Sequence, residues 1–233
     1  MPELPAFLAD RMEPLFSTPA RVVEIEEFGP RLRRVVFESP VFKRVRPETG
    51  YQVEFRVSTT AFRHYTLSDL DIAHGRCEMI LFAHGEGPGS RWVRGLRAGD
   101  EPRLLGPGKP FSLDARASRH VLLGDESCLG LFRALFRSAR GTELRGAVEL
   151  DSGNEAWLER LGVTLEAQTR TALRGAALTG WLRRQAAPQA DTTFYLAGHA
   201  QTVAVLRRQL LSAGVQRRAV HVRAYWADNK LGL

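Results

Sequence analysis

Polar and apolar positions follow two different rhythms along the chain. From about residue 17 to 113 the apolar positions alternate over short runs, as in ARVVEIEE, LRRVVFES, VEFRV, HYTLS, CEMILFA and EPRLLG. Strict alternation over five to eight residues is the mark of a strand with one buried face. Turn signals separate the runs at Phe28-Gly29-Pro30, Arg46-Pro47, His74-Gly75 and Ala98-Gly99-Asp100. Six short strands so spaced predict a small antiparallel barrel. From about residue 118 the rhythm changes. The short apolar strand HVLLGD leads into SCLGLFRALFRSAR, where Leu129, Phe132, Leu135 and Phe136 fall at helical spacing. Strands LRGAVEL, VTLEAQ, TFYLAG and AVHVRAY then alternate with helices NEAWLERL, ALRGAALTGWLRRQ and TVAVLRRQLL. This alternation predicts a parallel sheet flanked by helices. The expected organisation is an N-terminal extension over 1–16, a β-barrel domain over 17–113 and an α/β domain over 118–233.

Composition narrows the class. The chain has 233 residues, of which 44% are hydrophobic and 25% charged, as in an ordinary globular protein. No apolar run reaches the roughly 18 residues of a membrane span. The first residues, MPELPAFLADRMEPLF, carry acids and lack the basic-then-apolar order of a secretion signal, so a cytoplasmic location is expected. The two cysteines, Cys77 and Cys128, stand apart from any metal-ligand spacing and read as buried free thiols. The net charge is +7, but its arginines are scattered and no nucleic-acid motif accompanies them. An anionic small molecule fits that charge better than nucleic acid does. Neither half shows a heptad or an apolar patch, so a monomer is expected.

Two segments of the first half carry chemistry. In Arg63-His64-Tyr65-Thr66-Leu67-Ser68, strand alternation puts Arg63 and Tyr65 on one face. A cation beside an aromatic can grip a phosphate and hold a planar ring, or form a plain cross-strand pair. In Gly85-Glu86-Gly87-Pro88-Gly89-Ser90-Arg91-Trp92, a glycine-rich turn runs into a short helix, with Ser90 as the expected N-cap. A helix start favours a phosphate through its unpaired N–H groups and its dipole. The second half has no GxGxxG fingerprint. Ligands of parallel sheets bind at the carboxyl ends of the strands, which points to Gly124-Asp125-Glu126-Ser127 and Gly198-His199-Ala200-Gln201. Asp125 and Ser127 fit helix capping equally well.

Together these stretches resemble the siderophore-interacting proteins, flavin-containing ferric-siderophore reductases of the ferredoxin-reductase-like superfamily. The resemblance rests on FRHYTLSDLD, HGEGPGSRWVRGLRAGDEPRLLGPGKPFSL, HVLLGDES, FYLAGHAQTVAVLRRQLLSAGV and AYW, and runs from about residue 20 to 226. It implies FAD as cofactor and NADH or NADPH as electron donor, with ferredoxin as another donor. A ferric siderophore is the implied acceptor. Arg63 then binds the FAD phosphates, Tyr65 packs on the isoalloxazine or ribityl chain, and Thr66 bonds near flavin N5. Gly89 and Ser90 hold the pyrophosphate, with His64, Ser68, His84 and Gly87 in the same set. Ser68 stands where the family often has a second arginine. Asp125, Glu126, Ser127, Gly198 and His199 occupy the family's nicotinamide-nucleotide positions. Trp226 of the Tyr225-Trp226 pair is implied to lie near the flavin, and Lys230 to meet the anionic siderophore. A flavin or ferredoxin reductase with another acceptor, or a flavin-binding redox sensor that turns nothing over, are the alternative readings.

Overall fold

The computed structural model describes residues 16–139, 141–185, 189 and 191–230. Nearly all of the expected 1–16 extension lies outside them. The chain forms two compact units that divide between Ser112 and Leu113.

The first unit is one curled antiparallel sheet. Its strands are β1 (Thr18–Pro19), β2 (Arg21–Gly29), β3 (Leu32–Glu38), β4 (Gln52–Arg56), β5 (Phe62–Asp71), β6 (Arg76–Phe82) and β7 (Arg103–Gly108). They lie in the order β1-β7-β4-β5-β6-β3-β2, seven strands where six were expected. The extra one is the two-residue β1, which pairs with β7. Its run is too short to show alternation, and Pro19 has no N–H to continue a ladder. β1 and β2 are separated only by Ala20, so one extended segment serves both edges. Ala20 N donates to Pro102 O and Val22 N to Asp100 O, each at 2.8 Å, while β2 pairs with β3. Inward positions of the strands, among them Val35, Phe37, Val53, Phe55, Leu67, Met79 and Leu104, form the core.

Helix α1 (Pro88–Gly95) lies against this core through Val93, which is buried with Leu96 just beyond the helix. Arg33 fixes its C-terminal end. The guanidinium is buried and donates to Val93 O and to Leu96 O (3.2 Å), with Glu27 2.8 Å away on its outer side. A cation at this end also suits the helix dipole. A second repair lies in β5. The ladder to β6 shifts register between Leu67 and Asp69, and the Ser68 hydroxyl accepts Ile80 N–H at 3.2 Å across the bulge.

The second unit is a parallel sheet of β8 (Arg119–Asp125), β9 (Glu143–Leu150), β10 (Glu166–Thr169), β11 (Thr192–His199) and β12 (Val220–Trp226) in the order β10-β9-β8-β11-β12. The helices are α2 (Leu129–Ser138), α3 (Ala156–Arg160), α4 (Ala176–Arg184) and α5 (Ala200–Ser212). Every residue of β11 is buried, as a central strand covered on both faces requires. Val121, Leu123, Phe194 and Leu196 pack on one face against Leu178, Trp181, Leu206 and Leu210 of α4 and α5. The strand order reverses between β8 and β11, which opens a crevice at their carboxyl ends. Both cysteines are free and buried, as expected. Among the described residues no helix is long and apolar enough to cross a membrane.

Replacing Arg33 by Met strands the Val93 and Leu96 carbonyls without their donor. The expected loss is about 2 kcal/mol of stability in a urea melt, with the midpoint shifted and the slope unchanged.

Candidate functional site

In the first unit, β5 and the start of α1 come together at Gly89. A Cβ built on Gly89 would lie 3.3 Å from Arg63 Cγ and 3.3 Å from the Tyr65 hydroxyl. The strand pair and the glycine-rich turn therefore make one site. Tyr65 is held in place by its ring: it stacks on Trp92 of α1 at 5.3 Å between centroids, and both rings meet Phe55. Burial pushes the Tyr65 phenol well above its ordinary pKa, so the ring stays neutral beside an anion. Arg63 is half-buried and donates through Nη1 to Phe62 O at 2.6 Å. Its face of β5 is thus occupied by a cation and a neutral aromatic under a helix start.

The helix begins one turn earlier than the sequence suggests. Its N-cap is Gly87 with Pro88 as the first helical residue, and Ser90 lies inside the first turn. The Ser90 hydroxyl is buried and accepts Gly85 N–H at 3.2 Å, so it braces the turn and caps nothing. Proline at that position is favoured because its missing N–H would have no intrahelical partner. The N–H groups of Gly89 and Ser90 are among those a helix start leaves without helical acceptors.

Other expected residues of this unit lie differently. His64 alternates to the opposite face of β5, with Nε2 3.9 Å from Glu54 Oε1 on the paired strand. Thr66 is buried opposite Gln52. Ser68 is only 1% exposed and its hydroxyl is committed to the bulge. His84 is exposed just after β6. Trp92 and Phe55, which orient Tyr65, were not among the expected site residues. The Tyr65–Trp92 contact joins elements 27 positions apart in sequence, which local pattern cannot show.

In the second unit the residues at the crevice are tied to one another. Asp125 is buried, and its carboxylate accepts Ser127 N–H at 2.9 Å on one oxygen and His199 N–H at 2.9 Å on the other. It also receives the Ser127 hydroxyl. The carboxylate thus links the turn after β8 to the turn after β11. Gly198 makes room for it: its φ is +101°, and a Cβ there would lie 2.7 Å from the Asp125 carboxylate. His199 Nδ1 lies 2.9 Å from Thr202 Oγ1, its ring sits 4.5 Å from that of Trp226, and Nε2 lies 3.1 Å from Asp228 Oδ2. The Arg174 guanidinium lies over the Trp226 ring, 4.7 Å from its centroid. Lys230 is exposed and makes no hydrogen bond or ion pair among the described residues.

Beside the crevice is a cluster of acids around one cation. Glu126 accepts Asp151 N–H at 2.9 Å and pairs with Arg170. Arg170 also meets Asp151 at 2.6 Å and Glu149 at 3.7 Å. Glu149 is 1% exposed and accepts Gly175 N–H on both oxygens at 3.0 and 2.9 Å. Burial raises the Glu126 pKa despite the opposing pull of Arg170. One signal for this cluster lies in the sequence: Glu149 interrupts the apolar run of AVEL in a strand buried on both faces. Among the described residues no group of three or more histidine, cysteine, aspartate or glutamate side chains is arranged to hold a metal.

Arg170→Met leaves Glu126 and Glu149 buried without their cation. The expected cost at neutral pH is about 3–5 kcal/mol. Stranded carboxylates have folded pKa values above their unfolded ones, so the folded state binds more protons in that window. Stability of the variant therefore falls as pH rises through it. Melts at pH 5 and pH 8 are expected to show the larger deficit relative to the unaltered protein at pH 8.

Comparison with known proteins agrees with the two-unit geometry. The siderophore-interacting FAD-binding domain matches residues 48–111, and the siderophore-interacting protein domain matches residues 117–229. No curated protein matches the chain. The structure of the siderophore-interacting protein from Acinetobacter baumannii is similar at 16% identity and a TM-score of 0.78, covering 91% of each chain. That of a siderophore utilization protein from T. fusca is 23% identical with a TM-score of 0.78, over 93% of this chain and 95% of that one. The flavohem-like FAD/NAD binding domain of nitric oxide dioxygenase from Vibrio cholerae shares 15% identity and a TM-score of 0.68, over 91% of this chain and 99% of that one. At such identities the structures establish a shared fold of the ferredoxin-reductase type. With both domains matched in order along the chain, the protein belongs to the siderophore-interacting protein family.

Proposed function

We propose that the protein is an FAD-dependent reductase that takes electrons from NADH and delivers them to iron(III) held in a siderophore. The observation that carries this reading is the convergence of Arg63, Tyr65 and the helix start on Gly89. The residues there fit the cofactor. Glycine leaves the space a side chain would fill, so a pyrophosphate can approach the backbone. The Gly89 and Ser90 N–H groups and the dipole of α1 attract its charge, and the Arg63 fork supplies a matching cation. Tyr65, braced by Trp92 and Phe55, offers a fixed and uncharged ring edge. When bound, FAD supplies the exchange between the two electrons of a hydride and the single electrons that Fe(III) accepts. Reduction of the iron loosens it, because hard oxygen ligands hold Fe(III) more tightly than Fe(II). No side chain need act as general acid or base; the chain's part is positioning and charge.

The second unit supports NADH as donor over NADPH. The carboxyl ends of β8 and β9 carry Asp125, Glu126, Glu149 and Asp151 around Arg170, with Arg174 beside Trp226 as a second cation. The excess of acids there opposes the added charge of a ribose 2′-phosphate.

The purified protein is expected to bind FAD. Gly89→Val, which fills the cradle, should weaken binding about tenfold or more while the melting temperature of the FAD-free protein holds. A protein that takes up no added FAD would remove this reading. Under argon with a ferrous chelator, NADH and a ferric siderophore are expected to give Fe(II) above a free-flavin control. NADPH should be about tenfold less effective in kcat/KM. Equal use of the two nucleotides would overturn the donor assignment, and turnover with no ferrous signal would overturn the acceptor.

A further inference from the structure

A cavity of about 250 Å³ lies in the second unit between the sheet and helices α4 and α5. Its floor is formed by Arg145, Val121 and Phe194, which are lateral partners on the adjacent strands β9, β8 and β11. Trp181 of α4 and Gln209 and Leu210 of α5 roof it. These residues stand near the beginnings of the strands. Asp125 and His199 stand at the ends, four and five residues further along, or on the order of 13 Å away at strand rise. The cavity is therefore separate from the carboxyl-end crevice.

Three polar atoms in its lining are buried and have no hydrogen-bond partner: Arg145 Nε, Trp181 Nε1 and Gln209 Oε1. Trp181 is 2% exposed, so its indole N–H has no access to bulk water. Leaving a buried donor unpaired is costly, and a hydrophobic sheet-to-helix seam has no packing need for a guanidinium. Among the described residues no carboxylate lines the cavity and Arg145 has no ion pair; a second arginine, Arg183, also lines it and is exposed. Two buried unpartnered donors, one of them cationic, thus share the chamber with the Gln209 amide, which can present either end.

We propose that this cavity binds a small organic carboxylate. The carboxylate would accept from the Arg145 guanidinium and the Trp181 indole, and its hydrocarbon part would lie against Val121, Phe194 and Leu210. The volume is below the 300–1,000 Å³ or so of pockets for drug-sized ligands, which excludes a nucleotide or a siderophore. Of the two arginines in the lining, Arg183 is exposed and Arg145 carries the buried unpartnered donor, so one carboxylate matches the chamber, and the apolar walls disfavour inorganic phosphate. This assignment stands whether or not the flavin reading holds.

The test is a titration of the full chain, with its cofactor, using benzoate and hexanoate against benzyl alcohol and hexanol. Calorimetry gives affinity, and the ¹H–¹⁵N indole signal of Trp181, identified by its loss in Trp181→Phe, reports the site. At least one carboxylate is expected to bind and shift that signal, with its neutral counterpart about tenfold or more weaker. Arg145→Met should weaken carboxylate binding by a similar factor while leaving the melting temperature unchanged or higher, because it removes a buried cation that nothing pairs. A purely structural arginine would instead lower it. The proposal fails if neither carboxylate moves the indole signal at millimolar concentration, which would mean a cavity holding water only. It also fails if charged and neutral probes bind alike. That comparison is made in the unaltered chain and does not depend on a variant folding.

Discussion

Backbone N–H and C=O groups that the two sheets cannot pair must find side-chain partners, and that requirement shapes both units. In the first, Arg33 serves the carbonyls at the end of α1, and Ser68 serves the N–H that the β5 bulge releases. In the second, Asp125 takes the N–H groups of Ser127 and His199, Glu126 that of Asp151, and Glu149 that of Gly175. Each of these side chains is buried, so each failed bond would cost a full desolvation penalty. The segment from Thr18 to Gly29 reaches both edges of the sheet, β1 pairing with β7 and β2 with β3.

The proposed phosphate site and the stability of the first unit meet at α1. The same short helix presents its N-terminal N–H groups near Gly89, stacks Trp92 on Tyr65 and hangs its C-terminal carbonyls on Arg33. A helix of eight residues is too short to persist alone. Its position depends on the core below it and on the buried cation behind it, and the proposed phosphate site inherits that rigidity.

The second unit distributes charge unevenly along its strands. Four acids crowd the carboxyl ends around Arg170, whereas near the opposite ends Arg145 Nε has no partner among the described residues. Parallel strands put the favourable end of each following helix at the carboxyl edge. Here Asp125 already occupies part of that potential. The acids at the carboxyl edge oppose the extra charge of a 2′-phosphate, while the unpartnered Arg145 donor in the far cavity underlies the carboxylate proposed there.

The architecture was legible because it depends on periodicity. Alternation at two residues and then strand–helix alternation followed from apolar spacing alone, and the family followed from motifs such as FRHYTLS and GPGSRW. The sequence also put Arg63 and Tyr65 on one face, since alternation is a property of any strand. It could not show that this face meets Gly89, because that contact depends on how the sheet curls. Nor could it separate a polar side chain that waits for a ligand from one that serves the backbone. Ser90 reads as a helix cap and Ser68 as a weakened phosphate contact, yet both hydroxyls hold main-chain N–H groups. Asp125 reads equally as cap or ligand, and it proved to be a cap that also reaches the neighbouring turn. Residue types and their order determined which elements form and which chemistry is available. Tertiary structure alone decided which donors and acceptors are already spent, because hydrogen-bond partners are set by proximity between segments far apart in the chain.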